Sequence, residues 1–183
     1  MIHHDIATRM RGATEDGAFI QGMNDLLSCC EHGSLAVEIG AYAGQSTQLI
    51  YTSGKFDRLV TIDPFVDAYD PTDIPANTYR LSAVRYNLYQ RIVHYRNVLH
   101  LNLTSGEACG LFEPNSIDFL YIDGNHQYQH VMDDITHYLP KMKPRGIMAG
   151  HDYNIFEGVN RAVRERFGVP ARIFRDSSWM VIV

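Results

Sequence analysis

The chain has 183 residues, 45% hydrophobic and 20% charged, long enough to bury one core and unlike a disordered or fibrous composition. Its formal net charge is −5, with 16 Lys and Arg against 21 Asp and Glu. That balance argues against a broad nucleic-acid surface, which needs clustered cations. The densest basic group, Arg161, Arg164 and Arg166, has helical spacing beside Glu165 and reads as a solvated helix face.

Three cysteines, the adjacent Cys29 and Cys30 and the isolated Cys109, form no CxxC pair and no even-numbered disulfide framework. The opening "MIHHDIATRM" lacks the basic start and apolar stretch of a signal peptide, and no apolar run approaches the roughly 18 residues of a membrane span. The expectation is a cytoplasmic protein with no membrane partner. No internal repeat or low-complexity tract divides it, so residues 1–183 are expected to form a single domain.

In chain order, residues 1–33 read as a helical lead-in. Phe19, Ile20, Met23, Leu26 and Leu27 have helical spacing, and Gly33 serves as the stop. Strand-like and helix-like runs then alternate: strand "LAVEI", helix "GQSTQLIYTS", strand "RLVTID", helix "ANTYRLSAVRYNLYQRIVHY", strand "NVLHLN" and short helix "GEACGLF". "IDFLYID" is a fourth strand, "YQHVMDDITHYLPKM" a helix with Val131, Ile135 and Leu139 on one face, and "GIMAG" a fifth strand. The helix "FEGVNRAVRERFG" and two extended runs, "ARIFR" and "WMVIV", close the chain; the joint "DSS" is short enough to force an antiparallel hairpin. The pattern predicts a Rossmann-like, doubly wound α/β fold with seven strands, mostly parallel, ending in that hairpin.

In open α/β sheets, ligands bind beyond the carboxyl ends of the strands. Here those ends carry Glu38 and Gly40, Asp63, Asn102 to Ser105, Asp123 to His126, and His151-Asp152-Tyr153. Turns make any one strand end polar, but acids at four of the five ends of one edge repel unless a ligand or metal offsets them. The first loop, "EIGAYAGQST", spaces Gly40 and Gly44 as G-x-x-x-G, so that the backbone turns tightly and a ligand approaches it closely. A dinucleotide fingerprint would have glycine where Tyr42 stands, and no GxxxxGK[ST] phosphate loop is present. Asp63, ending the second strand, suits the two hydroxyls of a ribose. Together these point to a nucleoside without a pyrophosphate.

The series "VEIGAYAGQST", "VTIDPF", "LTSGEA", "SIDFLYIDGNHQY", "GIMAGHDY" and "GVNRAV", closed by "WMVIV", resembles the class I S-adenosylmethionine-dependent methyltransferases. More narrowly it is similar to the small bacterial branch related to macrocin and other sugar or antibiotic O-methyltransferases. The resemblance runs from about Leu35 to the C-terminus, and "IDGxHxY" with "GHDY" is its most specific part. It implies that Glu38, Gly40, Ala41, Tyr42, Gly44 and Ser46 belong to the loop around the methionine part of the cofactor. Asp63 would hold the ribose, Thr104 and Ser105 would lie beside the adenine, and Asp123 would stand near the methyl donor.

Relatives that bind a divalent cation use the aspartate after the fourth strand and an acidic pair after the fifth. The corresponding residues here are Asp123, His151 and Asp152, so one carboxylate is an imidazole. Mg favours oxygen ligands, whereas Mn or Zn accepts the exchange. Methyl transfer to a hydroxyl also needs a base, for which His126 and His151 are the candidates, with Asp123 orienting one of them or ligating a metal. The implied function is O-methylation of a small hydroxylated acceptor, which residues 66–95 would cover. A non-catalytic nucleoside-binding protein of this fold is the alternative, and an NAD-dependent oxidoreductase a less favoured one because of Tyr42. Self-association into a homo-oligomer is compatible with the sequence.

Overall fold

A computed structural model describes residues 17–73 and 77–183. The helices are α1 (Gly17–Ser28), α2 (Gln45–Thr52), α3 (Leu81–Ile92), α4 (Ser105–Cys109), α5 (Tyr128–Tyr138) and α6 (Glu157–Phe167). The strands are β1 (Gly33–Ile39), β2 (Phe56–Ile62), β3 (Val98–Leu101), β4 (Ile117–Ile122), β5 (Met142–Gly150), β6 (Arg172–Ile173) and β7 (Trp179–Ile182). They form one seven-stranded sheet in the order β3-β2-β1-β4-β5-β7-β6. β1 to β5 pair in parallel, and β7 enters antiparallel between β5 and β6, as the short hairpin joint requires.

β4 occupies the middle of this sheet, and its unbroken apolar run follows from that position. Side chains alternate across a strand. Phe119 and Tyr121 therefore pack with Met23, Leu26 and Leu27 of α1 and Ile50 of α2, while Leu120 and Ile122 pack with Val131 and Ile135 of α5 and Val159 and Val163 of α6. Both faces are covered from Phe119 to Ile122, so the side chains of that stretch are all buried. At its carboxyl end the covering helices stop and the polar residues begin. Among the described residues, no helix is long and apolar enough to cross a membrane.

Three boundaries differ from the sequence reading. Gly33 begins β1 instead of ending the lead-in helix. A Cβ there would lie 2.6 Å from the Asp118 Cβ, and the Asp118 carboxylate accepts from the Ser34 and Leu35 N–H groups (2.8 and 2.9 Å) and from Lys143 Nζ. The helix expected over residues 76–95 is interrupted: Asn77 and Thr78 are helical, the Asn77 N–H donating to the Asp73 carbonyl at 3.1 Å, but Arg80 is extended and α3 begins at Leu81. β5 starts at Met142, and its pairing with β4 slips between Ile117 and Phe119, where Arg145 has a φ of 68°. Residues 1–16 of the expected lead-in and 74–76 of the expected cover lie outside the described residues.

Candidate functional site

The exits of the parallel strands enclose a cavity of about 290 Å³, close to the lower end of small-ligand pockets, roughly 300 Å³. Gly40 to Ala43 line it from β1, Asp63 to Val66 from β2, Ser105 from β3, Asp123 to His126 from β4, and His151 and Asp152 from β5. Ser46 of α2, Phe19 of α1 and Asp134 of α5 also line it, as do Ala68, Tyr69, Asp70, Asp73 and Asn77 of the segment after β2 and Leu81 of α3.

The β1 loop is shaped by its neighbours. Gly40 has a φ of 88°, and a Cβ there would stand 2.0 Å from the Asp123 carbonyl oxygen. Gly44 has a φ of 81° and would meet Leu88 at 2.6 Å. Both glycines thus serve positive φ and close protein packing, and Gly40 also lines the cavity. Between them Tyr42, itself at a φ of 43°, donates its N–H to Asp63 Oδ2 at 2.8 Å. The Phe65 N–H donates to Asp63 Oδ1 at 2.9 Å. Burial raises the Asp63 pKa, and these two N–H groups work against the rise. Each carboxylate oxygen can still accept from a ligand hydroxyl.

Glu38 is fully buried and lies outside the cavity wall, beneath the loop. Its Oε2 accepts from Thr47 Oγ1 at 2.5 Å, and Oε1 has no hydrogen-bond partner among the described residues. Burial pushes its pKa up to about 7 against the Ser46 and Thr47 hydroxyls, with Asp123 and Asp63 adding to the rise. Glu38 therefore supports the loop from below. Thr104 is also occupied: it caps α4 in a reciprocal box with Glu107, leaving Ser105 as the residue of that pair that faces the cavity.

The far wall is a chain of acids and imidazoles. The His126 ring stacks on Phe156 with centroids 4.3 Å apart, and only 7% of the residue is exposed. Its Nδ1 lies 3.0 Å from Asp70 Oδ2. Its Nε2 lies 2.9 Å from Asp152 Oδ2 and 4.0 Å from Asp123 Oδ1, yet is aligned with neither for a hydrogen bond. His151 places Nδ1 3.2 Å from Asp152 and 3.9 Å from Asp123, Nε2 3.8 Å from Asp176, and its ring edge-on to Phe19.

Burial alone would lower both histidine pKa values. The carboxylates outweigh it, chiefly Asp152 and Asp123, and hold both rings up at about 9. Asp152 is also opposed by burial but falls well below the carboxylate range, because both rings are close. Burial pushes Asp123 upward; the His151 and His126 charges oppose that push and Asp152 reinforces it. Asp152 itself has a φ of 62°, a conformation uncommon outside glycine and concentrated at functional sites.

One ligand atom from each of Asp123, His126 and Asp152 lies within 4.8 Å of the other two. The sequence reading assigned His151 to that trio, whereas His151 stands at its rim between Asp152 and Asp176. Three acids were not singled out from sequence. Asp70 reaches the site from 56 residues away, Asp176 sits in an ordinary-looking turn, and Asp134 interrupts the core face of α5, where a carboxyl is itself the signal.

Comparison with known proteins agrees with this architecture. Residues 37–153 match the family model described as a methyltransferase domain. The uncharacterized protein R132 of Acanthamoeba polyphaga mimivirus is 34% identical over 122 residues, covering 64% of this chain and 50% of that protein, so the chain spans about half of that relative's length. Among solved structures, the O-methyltransferase NovP superposes with a TM-score of 0.64 at 18% identity, over 90% of this chain and 78% of that one. Phosphoethanolamine N-methyltransferase 1 of Haemonchus contortus, in complex with phosphoethanolamine and S-adenosylhomocysteine, gives 0.51 at 14% identity, over 70% of this chain and 24% of its own. Since the family model spans well over half of the residues and the seven-stranded sheet is mostly parallel with the closing antiparallel hairpin the sequence predicts, the chain belongs to the methyltransferase domain family and carries the class I fold.

Proposed function

We propose that the chain binds S-adenosylmethionine in the strand-end cavity and transfers its methyl group to the hydroxyl of a small molecule. The observation that carries this reading is the convergence of Asp63, the β1 loop and the Asp123–His126–His151–Asp152 wall on one cavity. Asp63 is held open-handed by two backbone N–H groups, with no cation against it among the described residues, which suits a neutral ribose diol. Tyr42 lines the cavity where a dinucleotide needs glycine, which disfavours NAD. The Haemonchus enzyme of the same fold holds S-adenosylhomocysteine, while NovP is an O-methyltransferase.

The cofactor would supply an electrophilic methyl group. The chain's own residues then have to place the acceptor oxygen in line with it, exclude water and take the hydroxyl proton. Asp63 and the β1 loop fix the nucleoside, and Phe19 beside His151 closes the acceptor side. The two rings are charged at neutral pH and so orient their acids. Asp123, with its basicity raised by burial, is the oxygen that accepts the proton.

A second reading has one observation in its favour. The donor atoms of Asp123, His126 and Asp152 converge, and His126 Nε2 is buried without an aligned hydrogen bond although an oxygen is 2.9 Å away. Two ligands of one cation adopt such a relation, each aiming its lone pair at the ion instead of at the other. With an imidazole in the set, Mn or Zn fits better than Mg, and the ion would lower the acceptor's pKa in place of a base.

Calorimetry with S-adenosylhomocysteine and NAD tests the cofactor assignment. Binding of the first and not the second is expected; no binding of S-adenosylhomocysteine would end it. A nucleoside-binding protein without activity would bind it but methylate no hydroxylated acceptor across a panel of sugars and phenols.

A further inference from the structure

The two edges of the sheet are guarded differently. At one end β6 is two residues long, and its Arg172 guanidinium stands over the Phe174 ring. A short edge strand that carries a cation resists pairing with another chain. At the other end β3, Val98–Leu101, has no acid, Lys, Arg or Pro, and burial, with Arg85 adding to it, pushes the His100 pKa down to about 4, so the strand is uncharged at neutral pH. The Asn97 and Leu101 carbonyls accept from the Leu59 and Asp63 N–H groups at 2.9 and 3.1 Å. The odd-numbered residues therefore turn toward β2, and Val98 and His100 present their N–H and C=O groups on the open side.

Apolar side chains gather on both faces of this edge. Among the described residues ten large hydrophobics are exposed, and five of them flank β3. Leu99, 56% exposed, and Leu111 line a groove on the α4 face, because α4 has only five residues and leaves that face open. On the opposite face Tyr86, Tyr89 and Val93 form an exposed stripe at helical spacing along α3, and the Tyr89 ring lies edge-on to His100 with centroids 5.6 Å apart. Exposed apolar patches continuous with a bare strand edge mark an association surface.

The charges beside β3 say what fits there. Arg96 precedes the strand, and Glu107, in the first turn of α4, follows it. Both are exposed, and neither is in an ion pair among the described residues. A second β3 laid antiparallel carries each Arg96 to the other copy's Glu107, whereas a parallel one sets like charges together.

We propose that β3 pairs with the β3 of a second copy of this chain about a two-fold axis at Leu99, continuing the sheet across a dimer. Val98 of one copy and His100 of the other exchange both main-chain hydrogen bonds, and the two Leu99 residues face each other as a non-bonded pair with Cα atoms about 4.5 Å apart. Tyr89 meets its copy on the α3 face, with Tyr86 toward the partner's Val93. A four-residue strand makes few hydrogen bonds, so the flanking side chains supply most of the buried area. The contact is self-complementary and closed, so association stops at two. It does not depend on the cofactor reading above.

Sedimentation velocity and oxidative cross-linking test the proposal. At micromolar concentration the wild-type protein is expected to sediment at twice the chain mass. Leu99→Lys sets two cations on the axis and should raise the dimer dissociation constant about tenfold or more. Arg96→Glu and Glu107→Arg should each weaken the dimer, and the two together should restore it, a rescue that a loss of folding would not give. Leu99→Cys should convert to a disulfide-linked dimer under copper phenanthroline, since Cα atoms at that spacing suit the bond, whereas the wild-type thiols, none of them in β3, should not. A wild-type monomer overturns the proposal. So does a dimer that Leu99→Lys leaves intact and Leu99→Cys does not cross-link, which would put the interface elsewhere.

Discussion

His126 and Asp70 are joined twice through one oxygen: the His126 backbone N–H donates to Asp70 Oδ2 at 2.7 Å, and the ring Nδ1 lies 3.0 Å from the same atom. Asn125 beside it donates to the Tyr69 carbonyl at 2.6 Å. The segment after β2 is thereby tied across the cavity to the exit of β4. Asp70 is also braced by Thr72, whose N–H and hydroxyl both donate to Oδ1.

Asp70→Asn should therefore lower stability by about 1–3 kcal/mol, since it leaves a buried imidazolium short of one carboxylate. Burial opposes ionisation of Asp70, but Thr72 and His126 outweigh it and depress its pKa. A depressed carboxyl contributes fully above its unfolded value, near 4, and loses that contribution as pH falls through the folded value. Urea midpoints at pH 7 and pH 3 should differ less in Asp70→Asn than in wild type. An equal acid loss in both would show that the tie contributes nothing.

The opposite limb comes from the imidazoles. Folded values of about 9 for His126 and His151 exceed the unfolded 6.5, so their contribution is complete below pH 6.5 and disappears as pH rises through 9. Urea midpoints should decline between pH 7 and pH 10, and His126→Gln should flatten the decline. Ring-proton NMR provides the independent check: resonances still titrating near 6.5 would contradict the charged wall.

Metal binding and base catalysis make different demands on His126. If the converging atoms hold a cation, Mn is expected to raise the melting temperature by a few degrees, more than Mg does, and His126→Ala to abolish the rise. EDTA should then stop methyl transfer. Activity that is indifferent to EDTA, with no thermal shift, leaves Asp123 as the proton acceptor, and Asp123→Asn should then lower kcat by about 10²-fold or more.

Fold and site were not equally legible in the sequence. The β4 run declared a strand buried on both faces, because Phe119 to Ile122 leave no polar side, and the "DSS" joint left β6 and β7 no geometry except a hairpin. Asp63 and Asp123 could be placed because a strand's last residue defines where it points. Asp70 could not, since its value depends on His126, 56 residues away, and nothing in "AYDPTD" distinguishes one acid from the next. Gly33 was misread for a related reason: its need for glycine comes from Asp118, 84 positions beyond Ser34 in the same clamp. Thr104, which the resemblance put beside the adenine, instead caps α4 through its spacing to Glu107, a pattern that names a helix start and carries no information on ligands.

The cofactor assignment turns most directly on Asp63. Its carboxylate takes one N–H from the β1 loop and one from Phe65, so it both shapes the loop and faces the cavity. Asp63→Ala should weaken S-adenosylhomocysteine binding by about 1.5–3 kcal/mol, from loss of the ribose bonds and a looser loop. Asp63→Asn separates the two effects. Its amide oxygen can keep one N–H, but the NH₂ then confronts the other and meets ribose hydroxyls as a donor only. If the carboxylate holds the diol, Asn should recover less than half of the lost binding free energy, while the melting temperature returns near that of wild type. Unchanged affinity in Asp63→Ala would place the nucleoside elsewhere in the cavity and remove the basis for reading this strand end as a ribose site.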